Sequence, residues 1–316
     1  MFFTIALLFV GLIVLIAGGD YLVKGASSIA LRIHLSPLVI GLTIVAFGTS
    51  APELLISVQA ALKNSPDIAM GNVIGSNICN LALVLGVTAV IHPIKVSSTS
   101  LKIDWPTTMG VSLLLYLFVK EGFVNSYEGY LFITILIIYL FIIIRKSRKD
   151  TKIAKELAKD SEIPDAPSQL IWKDIVFILI GCAGLYFGSE WFVGSVQEIA
   201  LKFGIEERII GLTVVAIGTS LPELVTSIVA SYKGQTDLAL GNLMGSNIFN
   251  ILSILGITSI IHEIEVSDQI LHTDIIWMLV ITLLILPFMA SKRRVGRIEG
   301  SILIFVYLIY VVLVIV

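Results

Sequence analysis

Two short segments of the chain place a glutamate directly after a proline inside long apolar runs. Residues 48–53 read GTSAPE and residues 218–223 read GTSLPE, ending at Glu53 and Glu223. Proline lacks a backbone N–H and clashes with the carbonyl four residues earlier, so we expect a helix break in each segment. A carboxylate in mid-membrane costs several kcal/mol unless it is paired or solvated. Irregular backbone at this depth is tolerated where it lines a cavity, so both segments predict an intramembrane polar site.

Further oxygen-bearing groups accompany the two glutamates. Ser76 and Asn80 lie four residues apart, as do Ser246 and Asn250, so each pair shares one face of a helix. The broken segments add hydroxyls and freed backbone carbonyls, with candidates at Ala46, Thr49, Ser50, Ala216, Thr219 and Ser220. Oxygen ligands select hard cations, and about six to eight flexible oxygens suit Ca²⁺ better than Mg²⁺. Two glutamates neutralise the charge of one divalent cation, and monovalent cations can neutralise the same two carboxylates. The two kinds of cation can therefore compete for one site, which favours ion exchange.

The composition of the chain assigns the surrounding elements to a membrane. Of 316 residues, 57% are hydrophobic and 14% are charged, whereas a soluble domain carries about 25% charged residues. The net charge of −2 gives no argument for a nucleic-acid partner. Runs of about 20 apolar residues predict spanning helices. Ten such runs occur, at approximately 2–31, 37–62, 67–91, 104–119, 127–144, 170–201, 209–232, 236–261, 273–290 and 298–316. The predicted fold class is all-α transmembrane.

An internal repeat divides these ten spans into two groups of five. Residues 41–86 align without gaps to residues 211–256, with 25 of 46 positions identical and a constant offset of 170. Five is an odd number, so the second group must enter the membrane from the opposite side. The sequence therefore predicts two inverted five-helix repeats, an arrangement typical of transporters with a site near the midplane. The predicted domains are residues 1–144, a basic linker at 145–169, and residues 170–316.

The distribution of lysine and arginine predicts the orientation of the chain. One basic cluster begins at residues 145–149 and a second lies at residues 292–297. Placing both in the cytoplasm leaves few cations on the other side, which satisfies the positive-inside rule. We expect a multi-pass protein of the cell membrane with both termini outside and the 145–169 linker in the cytoplasm.

The paired motifs GTSxPE and GNxxGSN, present in both halves, resemble the cation/Ca²⁺ exchanger superfamily, in particular its prokaryotic Na⁺/Ca²⁺ exchanger branch. The resemblance extends over all ten predicted spans. It implies an alternating-access antiporter in which Glu53 and Glu223 bind Ca²⁺, helped by the backbone carbonyls of Thr49 and Thr219. The other implied groups are Na⁺ ligands from Ser50, Ser76, Ser220, Ser246 and the carbonyls of Ala46 and Ala216, with Asn80 and Asn250 bordering the central site.

One departure from the family pattern bears on ion selectivity. Some relatives carry aspartate where this chain has Asn250. Because the K⁺-dependent relatives resemble the aspartate pattern, we expect exchange in this chain to need no K⁺.

Several alternatives remain open at this stage. Ca²⁺/H⁺ antiport is the main rival, because protonation would also release Ca²⁺ from two glutamates. An intramembrane enzyme is disfavoured by the lack of HExxH, GxGD or Asp-rich diphosphate motifs, and a passive channel by the repeats. We expect no enzymatic activity and no cofactor, with Ca²⁺, Na⁺ and the lipid bilayer as partners and a monomer as the functional unit. The serines and asparagines are alternatively packing groups. Asp20 and Glu190 occupy matching positions, for which structural or gating roles are favoured over ion ligation.

Overall fold

The computed structural model describes residues 2–63, 65–157, 171–204 and 216–315, and nearly all of them are helical. The helices are α1 (Phe2–Arg32), α2 (Pro37–Thr49), α3 (Ala51–Leu62), α4 (Pro66–Ile91), α5 (Trp105–Phe118), α6 (Ser126–Leu157), α7 (Ile171–Lys202), α8 (Ala216–Thr219), α9 (Leu221–Tyr232), α10 (Thr236–Ile261), α11 (Ile275–Ala290) and α12 (Arg297–Ile315). The short strands are β1 (Ile94–Lys95), β2 (Phe123–Val124), β3 (Ile264–Glu265) and β4 (Arg294–Val295).

Eight of the ten predicted spans correspond to helices that are long and apolar enough to cross a membrane. Seven are single helices, and the eighth is the pair α2 and α3, which meet at a bend of 46°. The predicted spans 104–119 and 209–232 correspond to α5 and α9, which are 14 and 12 residues long. Residues 209–215 lie outside the described part of the chain, so the total of ten spans stays a prediction.

The centre of the bundle is formed by α4 and α10, whose side chains are mostly buried, while α1, α6, α7 and α12 present many apolar side chains outward. The two halves are interlocked around this centre. Helix α12 packs on α4, where a Cβ atom added to Gly86 would lie 2.8 Å from the Gly300 carbonyl. In the same way α6 packs on α10, where a Cβ atom at Gly129 would lie 2.8 Å from the Gly256 carbonyl. Each half therefore completes the core of the other.

Helices α1 and α7 form an antiparallel pair at the edge of the bundle. A Cβ atom added to Gly11 would lie 2.7 Å from the Phe192 nitrogen, and one added to Gly18 would lie 2.7 Å from the Leu185 nitrogen. The absence of side chains at these glycines allows the two backbones to touch. The ends of the pair are also joined by hydrogen bonds and an ion pair, described below.

The four strands pair across the two halves. Strand β1 pairs antiparallel with β4, and β2 pairs antiparallel with β3. Each pair joins the segment after the third predicted span of one half to the segment after the fourth span of the other. The two ribbons lie on opposite sides of the bundle; we call the β1–β4 side the linker side, because the end of α6 lies there, with Ser147 bonded to the Ser36 nitrogen at 2.8 Å.

The predicted linker at 145–169 is helical where it is described. Helix α6 continues past residue 144 to Leu157, which places the basic residues 145–149 on its last turns. Residues 158–170 lie outside the described part of the chain, so the predicted boundary of the second domain is not tested.

Candidate cation-binding site

The chain breaks at the two predicted positions. Ser50 separates α2 from α3 with φ −86° and ψ 6°, and Ser220 separates α8 from α9 with φ −90° and ψ 6°. These values lie in the bridge region between helix and strand. A proline follows in the first turn of each new helix, and Glu53 and Glu223 lie in that same turn. A carboxylate in the first turn is stabilised by the unpaired N–H groups and the helix dipole.

Glu53 and Glu223 come together in the interior of the protein. Both side chains are 0% exposed, and they lie close enough to interact electrostatically. One oxygen of Glu223 accepts hydrogen bonds from Ser50 at 3.0 Å and from Ser246 at 3.4 Å. Within the described residues, no lysine, arginine or histidine forms an ion pair with either glutamate, and three of their four carboxyl oxygens have no hydrogen-bond partner.

The segments that carry the predicted amides, Asn80 and Asn250, pack against the helices of the opposite half that carry the glutamates. Helix α4 contains a π-helical turn at Cys79–Val84 that packs against α9, which carries Glu223. The matching π-helical turn of α10, at Asn250–Leu255, packs against α3, which carries Glu53. Such π-helical turns are frequent at functional sites, where they redirect side chains.

Several polar groups of the predicted site are buried without a partner in the described part of the chain. They are the amides of Asn80 and Asn250 and the hydroxyls of Ser76 and Ser220, each at most 2% exposed. A buried polar group that lacks a hydrogen bond destabilises a protein by about 1–3 kcal/mol. This donor set, made of carboxylates, hydroxyls and amides, fits a hard cation.

The remaining predicted ligands are less equivalent than the repeat suggests. The Thr49 hydroxyl contacts Asn242 Oδ1 at 3.2 Å and Ser246 at 3.5 Å. The Ala46 carbonyl already accepts bonds from the Thr49 hydroxyl and the Ser50 nitrogen, and a carbonyl oxygen has only two lone pairs. In the second half, Ser220 is buried near Cys79. Ala216 begins α8, and its side chain lies outside the described atoms.

A cavity of about 280 Å³ opens beside these groups on the side opposite the linker. Its lining includes Pro52 and Thr219 from the two broken segments, together with Gln59 and Glu190. The cavity extends from the helix breaks toward the surface on one side of the bundle.

Two site residues did not emerge from the sequence analysis, although both belong to the repeated GN of the second motif. Asn72 donates to the Glu53 carbonyl at 3.1 Å and to Ser57 at 2.9 Å. Its counterpart, Asn242, donates to the Glu223 carbonyl at 3.5 Å and to Ser227 at 3.1 Å. Each amide holds the first turn that carries a glutamate. The sequence signal that could have found them is that asparagine occupies the same repeat position in both halves.

Replacing Asn242 by alanine is expected to weaken Ca²⁺ binding by about tenfold, because a buried Ser227 hydroxyl and a backbone carbonyl lose their donor. Asn247→Ala is the matched control, since among the described residues the Asn247 side chain bonds to no group but the Leu243 carbonyl of its own helix, at 2.7 Å. The measurement is the Ca²⁺-dependent rise in unfolding temperature of the purified protein. Equal Ca²⁺ responses in both variants would show that Asn242 does not position the site.

Two buried carboxylates that have no cationic partner among the described residues, with the hydroxyls of Ser50 and Ser246 bonded to one of them, are typical of a membrane transport protein for cations when they lie inside a bundle of membrane-spanning helices. Residues 3–145 and 173–316 match the sodium/calcium exchanger protein family. The chain belongs to this family, whose members are transporters rather than enzymes, and it is a cation/Ca²⁺ antiporter.

Individual relatives resemble the chain along nearly its whole length. A protein named putative antiporter CaxA from Alkalimonas amylolytica is 40% identical over 307 residues, covering 95% of each chain. The sodium/calcium exchanger MaX1 of Methanosarcina acetivorans is 33% identical and covers 97% of each chain. A solved structure of the sodium–calcium exchanger NCX_Mj, soaked with Na⁺ and Sr²⁺, superposes with a TM-score of 0.83 at 32% identity, covering 98% of this chain and 97% of that one.

Proposed function

We propose that the chain exchanges Ca²⁺ for Na⁺ across the cell membrane by alternating access, at a midplane site between its two halves. The observation that carries this proposal is the pair of fully buried glutamates, one from each half, without a cationic partner among the described residues. Two like charges in a medium of low dielectric repel strongly. A divalent cation between them offsets this repulsion, and Na⁺ ions at adjacent oxygens offer an alternative balance.

The ligand assignment is the one that the resemblance to the exchanger family implies, and the burial of the two glutamates and of the hydroxyls and amides near them supports it. We assign Ca²⁺ to Glu53, Glu223 and the backbone carbonyls of Thr49 and Thr219. The Na⁺ ligands are assigned to the surrounding hydroxyls and carbonyls, namely Ser50, Ser76, Ser220, Ser246, Ala46 and Ala216, with Asn80 and Asn250 at the border of the central site. For the Ala46 carbonyl to bind Na⁺, the Thr49 hydroxyl must donate to Asn242 Oδ1 instead. The hydroxyls of Ser50 and Ser246 both bond to one oxygen of Glu223. This proximity supports a site in which Ca²⁺ and Na⁺ compete for the same carboxylate.

The proposed topology is ten spans in two inverted repeats, with both termini outside and a monomer as the working unit. The strand pairs support the inversion. Strand β1 follows the third predicted span of the first half, whereas β4 follows the fourth predicted span of the second half. In halves of equal orientation, these two positions would lie on opposite sides of the membrane. Their pairing therefore favours opposite orientations.

The test is Ca²⁺ uptake into proteoliposomes under imposed ion gradients. An outward Na⁺ gradient at equal pH on both sides is expected to drive Ca²⁺ accumulation. A pH gradient without Na⁺ is expected to drive none, and uptake in that arm alone would identify a Ca²⁺/H⁺ antiporter instead. Uptake without any gradient and without saturation would identify a channel.

The neutral amide of Asn250 leads to a further expectation for the same assay. Na⁺-driven Ca²⁺ uptake should be equal with K⁺ or with choline as the accompanying cation, because the site then holds only the two carboxylates of Glu53 and Glu223. Equal total salt in both arms keeps the screening of surface charge constant. A requirement for K⁺ would contradict this expectation.

A further inference from the structure

The linker side of the bundle is closed by a contact between α1 and the segment after α9. Asp20 forms ion pairs with Lys24, at 2.6 Å, and with Lys233. Ser27 donates a hydrogen bond of 2.5 Å to the Gln235 side chain. Between these contacts and the site, α1 packs tightly on α9, where a Cβ atom at Gly19 would lie 3.0 Å from the Val225 side chain.

The internal repeat places complementary residues at the mirror positions on the other side. With the offset of 170, Asp20 and Lys233 correspond to Glu190 and Lys63, and Ser27 and Gln235 correspond to Gln197 and Ser65. The acid again lies on the helix of the α1–α7 pair, and the base again follows the second span of the opposite half. The amide and the hydroxyl have exchanged places but can form the same bond.

These mirror contacts are open in the structure. Among the described residues, the side chains of Glu190, Lys63, Gln197 and Ser65 form no ion pair or hydrogen bond with one another. Glu190 instead lines the 280 Å³ cavity that leads toward the two helix breaks. The bundle is therefore closed by a salt bridge on one side and open at the equivalent place on the other.

Helices α1 and α7 are joined at both ends and in between. Arg32 and Asp174 form an ion pair of 3.0 Å near one end, and Thr4 donates a hydrogen bond of 2.8 Å to Glu198 near the other. Backbone contact at the glycines fixes the helices between these ends. A shift of this pair that forms a contact on one side must therefore break the contact on the other.

We propose that Asp20–Lys233 and Glu190–Lys63 are two mutually exclusive latches of the transport cycle. The first closes the linker side while the site is open to the opposite side, as in this structure. The second, supported by Gln197 and Ser65, closes the opposite side while the site is open to the linker side. This inference rests on the proposed inverted repeats and alternating access, and it adds the residues that set the balance between the two states.

A charge-swap cycle tests the latch that the structure shows open. Lys63→Glu places two carboxylates together in the linker-side-open state and is expected to slow Na⁺/Ca²⁺ exchange about two- to fivefold, the range for an exposed ion pair. Adding Glu190→Lys should restore the rate to near that of the parent. Lys120→Glu, an exposed change of equal charge, controls for general effects on Ca²⁺ attraction. A double variant slower than either single variant, or a Lys63→Glu variant as fast as the parent, would overturn the proposal.

A second measurement reports the direction of the shift. Gln59 lines the open cavity, so a Gln59→Cys variant reports its accessibility to a membrane-impermeant maleimide. Adding Lys233→Gln removes the closed latch and should shift the equilibrium about two- to fivefold toward the linker-side-open state, so that the labelling rate falls with the population of the state shown here. Unchanged or faster labelling would count against the latch. If the parent protein itself showed no Na⁺/Ca²⁺ exchange, the proposed function would be refuted. That result differs from those that would refute the latches alone.

Discussion

Replacing Glu53 or Glu223 by glutamine is expected to reduce Na⁺-driven Ca²⁺ uptake by about two orders of magnitude or more. Each substitution keeps the size of the side chain and removes half of the negative charge that faces the cation, and ligand charge sets Ca²⁺ affinity over a range of this size. Uptake of Ca²⁺ into proteoliposomes under a fixed Na⁺ gradient measures the effect. Glu121→Gln is the matched control, because Glu121 is exposed at the end of α5.

The same substitutions should have an opposite effect on stability without ions. A buried carboxylate with no cationic partner destabilises the folded state, and an amide of equal volume reduces this penalty. We therefore expect Glu53→Gln to unfold at a higher temperature than the parent in chelator. Added Ca²⁺ at 100 times its Kd should stabilise the parent by about 2.7 kcal/mol and the variant hardly at all.

The two measurements together separate a ligand from a structural residue. If Glu53 were only a packing group, the glutamine variant would keep its Ca²⁺-dependent stabilisation and its transport. If Glu53 were needed for folding, the variant would unfold earlier in chelator. A variant that folds better, ignores Ca²⁺ and does not transport it is the result that the buried pair predicts.

The central features of the site could be predicted from the sequence because the relevant signals are local and occur twice. A proline beside a glutamate in an apolar run predicts a helix break, and the break at Ser50 lies within the expected segment 48–53. The offset of 170 then indicates that a second, equivalent segment must exist. Two such segments from inverted halves are expected to meet near the midplane, where one cation can neutralise both carboxylates, and Glu53 and Glu223 do lie close to each other in the interior.

The partners of each group could not be predicted, because they come from the opposite half. The sequence places Asn242 and Thr49 193 positions apart, and only the packing of α2 on α10 brings them within 3.2 Å. The pairing of β1 with β4 is also a contact between halves. The residue at which α6 ends could not be predicted for a different reason: the membrane signal ends at residue 144, whereas helical propensity continues through the basic residues beyond it.

The conformational state is the feature that no repeat can reveal. Both halves carry the same motifs, yet Asp20 is paired with Lys233 while Glu190 faces an open cavity. A symmetric sequence is compatible with either side being open, since the two arrangements exchange equivalent contacts. The side chains that differ between halves add a further asymmetry. Phe47 and Phe249 pack edge to face at 6.0 Å beside Ser50, where the other half has Ile217 and Cys79.

The second large effect is expected where α2 crosses α10. A Cβ atom added to Gly41 would lie 2.4 Å from the Leu238 carbonyl, and one added to Gly241 would lie 2.3 Å from the Leu38 carbonyl. Neither neighbour is a flexible side chain, so the helices themselves must separate. Overpacking of this kind destabilises a protein by about 1–3 kcal/mol. Gly41→Ala should therefore lower the unfolding temperature measurably in detergent.

The consequence should extend to ion binding, because the same crossing brings Thr49 to Asn242 and Ser246. We expect Gly41→Ala and Gly241→Ala each to weaken Ca²⁺ binding. The double variant should lose less binding free energy than the two single variants together, because one separation of the helices relieves both clashes. Gly110→Ala is the control: no described atom lies within 4 Å of its added Cβ, so it should gain up to about 1 kcal/mol from helix propensity. If Gly41→Ala kept the stability and the Ca²⁺ affinity of the parent, the prediction would be wrong. The crossing of α2 and α10 would then not be what holds the hydroxyls of the first half near the Glu223 carboxylate.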